Sequence, residues 1–241
     1  MELFDLKYDM HTEKQTLDAI SNAITADNKN SFIRSDINVG TIVSSKDDPR
    51  IKEYINNSDI VNIDGMGAIL GMKLLRKPLP ERVTGADLFV RVLDLAEKKG
   101  FSVYFLGATE KVNELTYLTA KKNHPRLNVV GRHDGYFFNA IESMVGDIAS
   151  CTPDILFVGI KSPEKEYFIS EWSKQLNSKV LMGVGGTFDV YCGQVARAPK
   201  WVQKIGMEWF FRVVQEPRRM FKRYMHSNYS FLKMLIRELR K

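Results

Sequence analysis

Cysteine is scarce in this chain: Cys151 and Cys192 are the only two in 241 residues. Two thiols make at most one disulfide, which excludes a heavily cross-linked secreted scaffold, and reduced thiols are expected. No apolar run reaches the ~18 residues of a membrane-crossing helix. The opening stretch, MELFDLKYDMHTEK, has neither a basic start nor an apolar core, so it does not read as a secretory signal. A cytoplasmic location is the expectation. Metal-ligand patterns are equally thin. Asp-x-Asp occurs nowhere, and His11, His124, His133 and His226 have no ligand spacing. The dinucleotide fingerprint Gly-x-Gly-x-x-Gly is missing too, because Gly65-Met66-Gly67 is followed by Leu70 where a third glycine would stand. That weakens the reading of a nucleotide-sugar epimerase or dehydrogenase.

What is present is a folding composition, 44% hydrophobic and 27% charged, in a chain long enough for one well-buried domain and a small appendage. The charge is unevenly placed. Residues 197–241 hold twelve Lys and Arg against three Asp and Glu, a net of +9, while the whole chain carries +6. All the excess basicity therefore lies in the last 45 residues. A localised basic segment implies an anionic partner: nucleic acid, acidic lipid or a phosphorylated substrate.

Apolar runs alternate with amphipathic helical patterns through the middle of the chain, which predicts an α/β fold with a Rossmann-like, mostly parallel sheet and helices on both faces. Strands are expected near 31–37, 59–63, 101–106, 128–130, 155–158 and 180–184. Helices are expected over 12–26, 66–75, 85–99, 110–123, 138–149 and 163–176, with Thr84 and Asp87 spaced as a capping box for the third of these. No internal repeat or low-complexity linker is visible. From Arg197 onward the pattern turns helical, aromatic and basic. Met207, Phe210, Phe211 and Val214 share one helical face, Pro217 interrupts, and Phe231, Leu232, Leu235 and Leu239 continue an apolar face. The expected division is a sheet domain over 1–196 and a helical appendage over 197–241. Regular amphipathic helices with Trp209, Phe210 and Phe211 fit a bilayer surface better than a nucleic-acid groove.

The segment VNIDGMGAILGMKLLRKPLPERVTGADL (61–88) carries the clearest chemistry. An apolar strand delivers Asp64 into the turn Gly65-Met66-Gly67, at the carboxyl edge where open α/β sheets bind ligands. Arg82 follows on a short Pro-rich loop, and its fork suits a phosphate or carboxylate. An acid beside an anion-binding group fits general-base chemistry; a solvated turn aspartate and a surface Arg82 paired with Glu81 are the plainer alternatives. Farther on, Gly183-Val184-Gly185-Gly186 follows a strand and precedes a helical pattern, so its backbone can approach a nucleotide closely.

These blocks, with GRHDGYF (131–137), PDILFVGIKSPEKE (153–166), GVGGTFDVYCG (183–193) and RAPKWVQKIGMEWFFRVVQEPRRMFKRY (197–224), resemble in order the WecG/TagA/CpsF family of bacterial glycosyltransferases. The resemblance covers the chain from about residue 33 to 224. It implies an inverting, metal-independent transfer of a sugar from a UDP-sugar to a sugar on polyprenyl diphosphate, without a cofactor, in assembly of a surface polysaccharide or teichoic acid. It implies Asp64 as base, Arg82 and Lys165 as cations on the diphosphate, and Tyr136, Gly185, Gly186 and Asp189 around the nucleoside. Arg212, Arg219 and Arg223 would reach the acceptor diphosphate from an appendage seated on the inner face of an anionic membrane. Two positions depart from the usual pattern. Pro-x-Gln-Glu reads Pro163-Glu164-Lys165-Glu166, and Thr-x-Asn reads Asp36-Ile37-Asn38, where Asp36 and Asn38 are candidate sugar contacts. The donor sugar is therefore open between an N-acetylmannosamine type and a related hexose or uronic acid. Nucleic acid is not expected as a partner. Self-association of the sheet domain remains open, since a second copy could cover the same apolar helices.

Overall fold

Strands such as SVYFLG and ILFVG are almost wholly apolar, which requires cover on both faces of a sheet. The computed structural model describes residues 1–26, 28–137 and 140–240, without the side chains of Lys204, Arg219, Met220 and Arg223. A hairpin of β1 (Glu2–Leu3) and β2 (Leu6–Lys7) leads into α1 (Glu13–Thr25), β3 (Phe32–Ile37), α2 (Val39–Asp47), α3 (Pro49–Asn57) and β4 (Ile60–Ile63). Next come α4 (Met66–Leu74), α5 (Gly85–Lys99), β5 (Ser102–Gly107), α6 (Glu110–Asn123), β6 (Asn128–His133) and α7 (Ile141–Cys151). The sheet finishes with β7 (Ile155–Gly159), α8 (Glu164–Trp172), β8 (Val180–Gly183) and α9 (Thr187–Tyr191). Three further helices follow: α10 (Lys200–Lys204), α11 (Glu208–Gln215) and α12 (Pro217–Leu239).

Six strands form one parallel sheet in the order β4-β3-β8-β7-β5-β6. Successive strand residues point to opposite faces, and each face has its own core. Ile63, Leu106, Val158 and Leu181 look toward α2, α3, α4, α7, α8 and α12. Val103, Phe105, Phe157 and Met182 look toward α1, α5, α6 and α9. On the second face Phe89 of α5 meets Phe157 with ring centroids 4.8 Å apart and Phe188 of α9 at 5.8 Å. Those rings fix where the first turns of α5 and α9 fall, and both turns lie at the carboxyl edge.

Local signals explain most helix starts. Thr12 and Gln15 make a reciprocal capping box for α1, and Thr109 accepts from the Val112 N–H to cap α6. Thr84 caps α5 by accepting from the Asp87 N–H at 3.2 Å. The return half of that box is absent: Asp87 instead accepts from the Thr84 hydroxyl at 2.6 Å and is gripped by Arg197. Helices α2 and α3 were not among the expected elements, and they meet at residues 47–49. They abut there, Asp48 ending one and capping the next, with Pro49 in the first turn. The helix expected over 138–149 runs instead over Ile141–Cys151, residues 138 and 139 lying outside the described part, and α8 ends at Trp172.

The C-terminal helices do not bury the faces their spacing offers. Phe210 and Val214 are exposed on α11, and its inward residue is Val213. On α12 the expected apolar face splits: Phe231 and Leu235 join the core, while Leu232 and Leu239 face solvent. Gly71 of α4 makes room for this docking, since a Cβ there would sit 2.5 Å from Phe231 Cζ. Gly71→Val should therefore force Phe231 aside at a cost of about 1–3 kcal/mol. The expected readout is several-fold faster proteolysis around residues 205–216; an unchanged cleavage pattern and melting temperature would show that the helix is not seated through this contact.

Candidate active site

β4 ends by handing Asp64 to the carboxyl edge. The Asp64 N–H donates to the Ile37 carbonyl at 2.8 Å, prolonging the pairing with β3 by one residue. The Val83 N–H then donates to the Ile63 carbonyl at 3.2 Å and lays the Pro-rich loop beside the strand end. This brings the first turn of α5 over the carboxylate, whose Oδ2 accepts from the Gly85 N–H at 3.1 Å. A helix N-terminus favours a negative group at that point. Asp64 is partly buried, and its pKa is pushed up to about 6, first by burial and then by the negative charge of Asp36. Gly85, Arg34 and Arg82 pull the other way. The result is a carboxyl group poised to hold or release a proton near neutrality.

Behind Asp64 lies a charged seam that sequence reasoning overlooked. Arg34, in the middle of β3, is fully buried. Its Nε donates to Asn62 Oδ1 at 2.9 Å and its Nη1 to Asp36 Oδ1 at 3.3 Å. Asn62 in turn donates to Thr16 on α1 at 3.0 Å. Alternation along β3 was the available signal, for Phe32, Arg34 and Asp36 share one face. Asn38, a candidate sugar contact, caps α2 with its Oδ1, which accepts from the Gly40 and Thr41 N–H groups at 2.8 and 3.2 Å. Its amide nitrogen remains directed to Asp36 at 3.4 Å.

Arg82 lies between this edge and the C-terminal helices. It donates to the Gln203 carbonyl at 3.3 Å and approaches Glu208 at 3.5 Å. Arg197, not singled out in the sequence, closes both arms of its fork on Asp87 at 2.6 Å. The pair holds the Asp87 carboxyl below the usual range, with the Thr84 hydroxyl also contributing. Two arginines thus join the first turn of α5 and its preceding loop to the segment beyond residue 196.

Two strands from β4, the turn after β8 gathers the glycine block. Gly185 takes φ +51°, a left-handed conformation that costs glycine little. A Cβ on Gly186 would lie 3.9 Å from both Asp189 Oδ2 and Arg212 Nη1, so these two predicted residues flank the turn. β3 continues into α2 on one face and β8 into α9 on the other, so a crevice opens between these neighbouring strands. Lys165 lies beneath it. Its stem runs along Gly183, and its buried ammonium meets Glu166 at 3.2 Å. Burial would lower the Lys165 pKa, but the carboxylates of Glu166 and Asp36 outweigh it and raise it.

Tyr136 stands apart. It follows β6 at the far end of the strand order, five strand spacings or about 24 Å from β4, and is 73% exposed. A hollow of about 210 Å³ beside it is lined by His133, Phe137 and Met144. Another, of about 410 Å³, opens at the opposite edge of the sheet around Asp154 and Lys179, away from the glycine turn and Asp64. Arg219 and Arg223 belong to α12, but their side chains are outside the described part. Among the described residues, no three His, Cys, Asp or Glu side chains gather as a metal site.

The raised Asp64 pKa carries a stability consequence. Below the unfolded-state pKa of about 4 the group is protonated in both states; above about 6 folding must hold a partly buried charge, so stability falls between them. Asp64→Asn lacks that penalty. It should be about 1–2 kcal/mol more stable than the parent at pH 7.5, after discounting for partial solvent access, and equal to it below pH 4. Melting curves across that range test this; a variant less stable at pH 7.5 would contradict the placement of the charge.

A family model, the Glycosyl transferase WecG/TagA/CpsF family, matches residues 1–241. Among similar proteins is one of Bacillus spizizenii, 36% identical over 171 residues, which are 71% of this chain and 66% of that relative. One of Bacillus subtilis strain 168 is 30% identical over 167 residues, 69% of this chain and 65% of the relative. One of Staphylococcus aureus strain MRSA252 is 33% identical over 168 residues, 70% and 66% respectively. All three bear the name N-acetylglucosaminyldiphosphoundecaprenol N-acetyl-beta-D-mannosaminyltransferase. The matches span just under two thirds of those relatives' length. From the full-length match and the order of these motifs along one parallel sheet, this chain belongs to the glycosyl transferase WecG/TagA/CpsF family.

Proposed function

We propose that this chain transfers a sugar from a UDP-sugar to a sugar carried on polyprenyl diphosphate, with inversion and without a divalent metal. The observation that carries the proposal is Asp64, an acid titrating near pH 6 at a sheet edge, two strands from a glycine turn flanked by Asp189 and Arg212. The relatives' name supports an acceptor of the N-acetylglucosaminyl diphosphoundecaprenol kind. In a single displacement the acceptor hydroxyl attacks the anomeric carbon as Asp64 takes its proton. The bond to UDP breaks on the opposite face, and the departing diphosphate carries the electron pair.

Positive charge must steady that leaving group. Arg82 and Lys165 fill this role in our reading: Arg82 directly, from the loop, and Lys165 from beneath Gly183, where its charge is shared with Glu166. The uridine lies over Gly185 and Gly186 beside Asp189 and extends along the edge toward Tyr136. Asp36 and Asn38 line the sugar end. The donor is an N-acetylmannosamine-type sugar or a related hexose or uronic acid, because Asp36 and Lys165 alter the charge where it sits.

Residues 1–196 then form the catalytic domain and 197–241 the membrane-associating appendage. On α12, Phe221, Met225, Tyr229, Leu232, Ile236 and Leu239 are all at least 41% exposed and fall within one ~80° stripe. Lys222, Lys233 and Arg237 border it, the pattern of a helix lying in a lipid interface. Among the described residues, no helix is long and apolar enough to cross a bilayer. Arg212, Arg219 and Arg223 receive the acceptor diphosphate at the inner face of the membrane. Release from lipid exposes the same stripe to a second copy, so self-association is part of the proposal. The pathway is assembly of a surface polysaccharide or teichoic acid.

A transfer assay with a panel of UDP-sugars, vesicles bearing polyprenyl-diphosphate-GlcNAc and EDTA throughout tests the reaction. Sugar should move to the lipid, and Asp64→Asn should lose at least about 10²-fold in rate while still binding UDP. Near-normal turnover in that variant would remove Asp64 as base. In the parent, kcat/KM should fall below about pH 6 as Asp64 gains its proton. An acid limb at pH 4 would contradict the buried, Asp36-facing setting.

A further inference from the structure

Helix α4 leaves the site directly after Asp64 and Gly65, and apart from Lys73 it carries no charged or polar side chain: MGAILGMKL. A helix of that kind is ordinarily buried all round. Its inner side is, with Ala68, Gly71 and Met72 covered. Yet Leu70 and Leu74, one helical turn apart, are 53% and 58% exposed, and Leu79 in the following loop is 45% exposed. Residues 65–80 hold three basic side chains, Lys73, Arg76 and Lys77, and no acidic one. All three are exposed, with no ion pair among the described residues.

Its neighbours place this surface. Met66, at the start of α4, lies against Gly206 after α10, and Gly71 lies against Phe231 and Leu235 of α12. At 100° per residue, Leu74 and Leu70 sit roughly 60° and 100° around α4 from Gly71, on the side away from Ala68 and Met72. They flank the line of contact with α12. The exposed stripe of α12 likewise flanks Phe231 and Leu235, and both surfaces combine exposed apolar side chains with exposed cations.

We infer that α4 and the loop after it form a second lipid-contacting patch, so that the sheet domain itself rests on an anionic membrane beside the C-terminal helices. The inference deepens the membrane reading above and rests on it. Exposed leucines would enter the headgroup boundary, while Lys73, Arg76 and Lys77 would meet anionic lipid, each adding to binding at low salt. The chemistry fits a bilayer rather than a soluble acidic partner, because three leucines stand among the cations. The consequence for function is spatial: the carboxyl edge bearing Asp64 is set at the lipid surface from two sides rather than hung from one appendage.

Vesicle co-sedimentation of the full chain tests this, with phosphatidylcholine alone and with about one third phosphatidylglycerol. Three variants are compared with the parent: Leu70→Glu/Leu74→Glu, Lys73→Gln/Arg76→Gln/Lys77→Gln, and Leu232→Glu/Leu239→Glu on α12. Circular dichroism and UDP binding show that each remains folded with its nucleotide site intact. Both α4 variants should lose on the order of tenfold or more in partition to anionic vesicles, the charge variant only at low salt. Parent-like partition of both, while the α12 variant loses binding, would overturn the α4 patch and leave the appendage reading standing. Failure of the parent itself to bind anionic vesicles would overturn both. If Leu70→Glu/Leu74→Glu instead turned a sedimenting dimer into a monomer with vesicle binding unchanged, the face would belong to a second copy and the inference would be wrong.

Discussion

A guanidinium buried in the middle of a sheet must be matched, and the matching of Arg34 organises the carboxyl edge of this molecule. An isolated charge in such a place costs several kcal/mol, so its partners are held firmly. Asp36 and Asn62 supply acceptors from β3 and β4, and Asn62 passes the chain of hydrogen bonds to Thr16 on α1. This seam joins the edge strand β4 and its neighbour β3 to the helix that covers them. It also sets the field in which Asp64 works. Asp36 raises the affinity of Asp64 for a proton, and Arg34 and Arg82 limit that rise. A carboxyl group near pH 6 is therefore a balance of several neighbours, not a property of Asp64 alone.

The C-terminal helices enter the same balance. Arg197 binds Asp87 and Arg82 reaches Gln203 and Glu208, so the first turn of α5 is shared between the sheet and the segment beyond residue 196. That turn supplies the Gly85 N–H on which the Asp64 carboxylate rests. Arg212 approaches from α11 over Gly186. A shift of these helices would thus be felt through fixed contacts at the groups around Asp64 and the glycine turn. Coupling of this sort requires no long path, only that one short loop answer to two partners.

Much of this was legible in the sequence, for identifiable reasons. The central strands could be read because they are buried on both faces and uniformly apolar, and the Thr-capped helices because a side chain marks their start. Asp64 could be found because a strand end and a glycine turn bracket it. Helices α2 and α3 were hidden because Asp48 both ends one and begins the other, leaving Ser, Lys, Asp and Pro in a row that reads as loop. Arg34 was missed because a charged residue inside a strand suggests an exposed edge, and only the pairing with Asn62, 28 residues away, shows otherwise. The outward stripe of α12 was merged with its inward one, since spacing alone does not say which of two adjacent apolar rows finds a partner.

The two departures from the usual family pattern are linked by charge. Asp36 brings a carboxylate to the end of β3 beside the crevice, and burying it alone would be costly. It is instead met by Arg34 at 3.3 Å, and its field also favours the charged form of Lys165. Lys165 in turn is neutralised by Glu166. Replacing Asp36 would take a carboxylate partner from Arg34, and replacing Lys165 would take the cation from Glu166. This part of the crevice thus offers fixed charges where the usual pattern offers neutral hydrogen-bonding groups. On the proposed reading, selection among donors would then rest on how a sugar's substituents meet Asp36 and the cations behind it, with Asp64 keeping the proposed role of base.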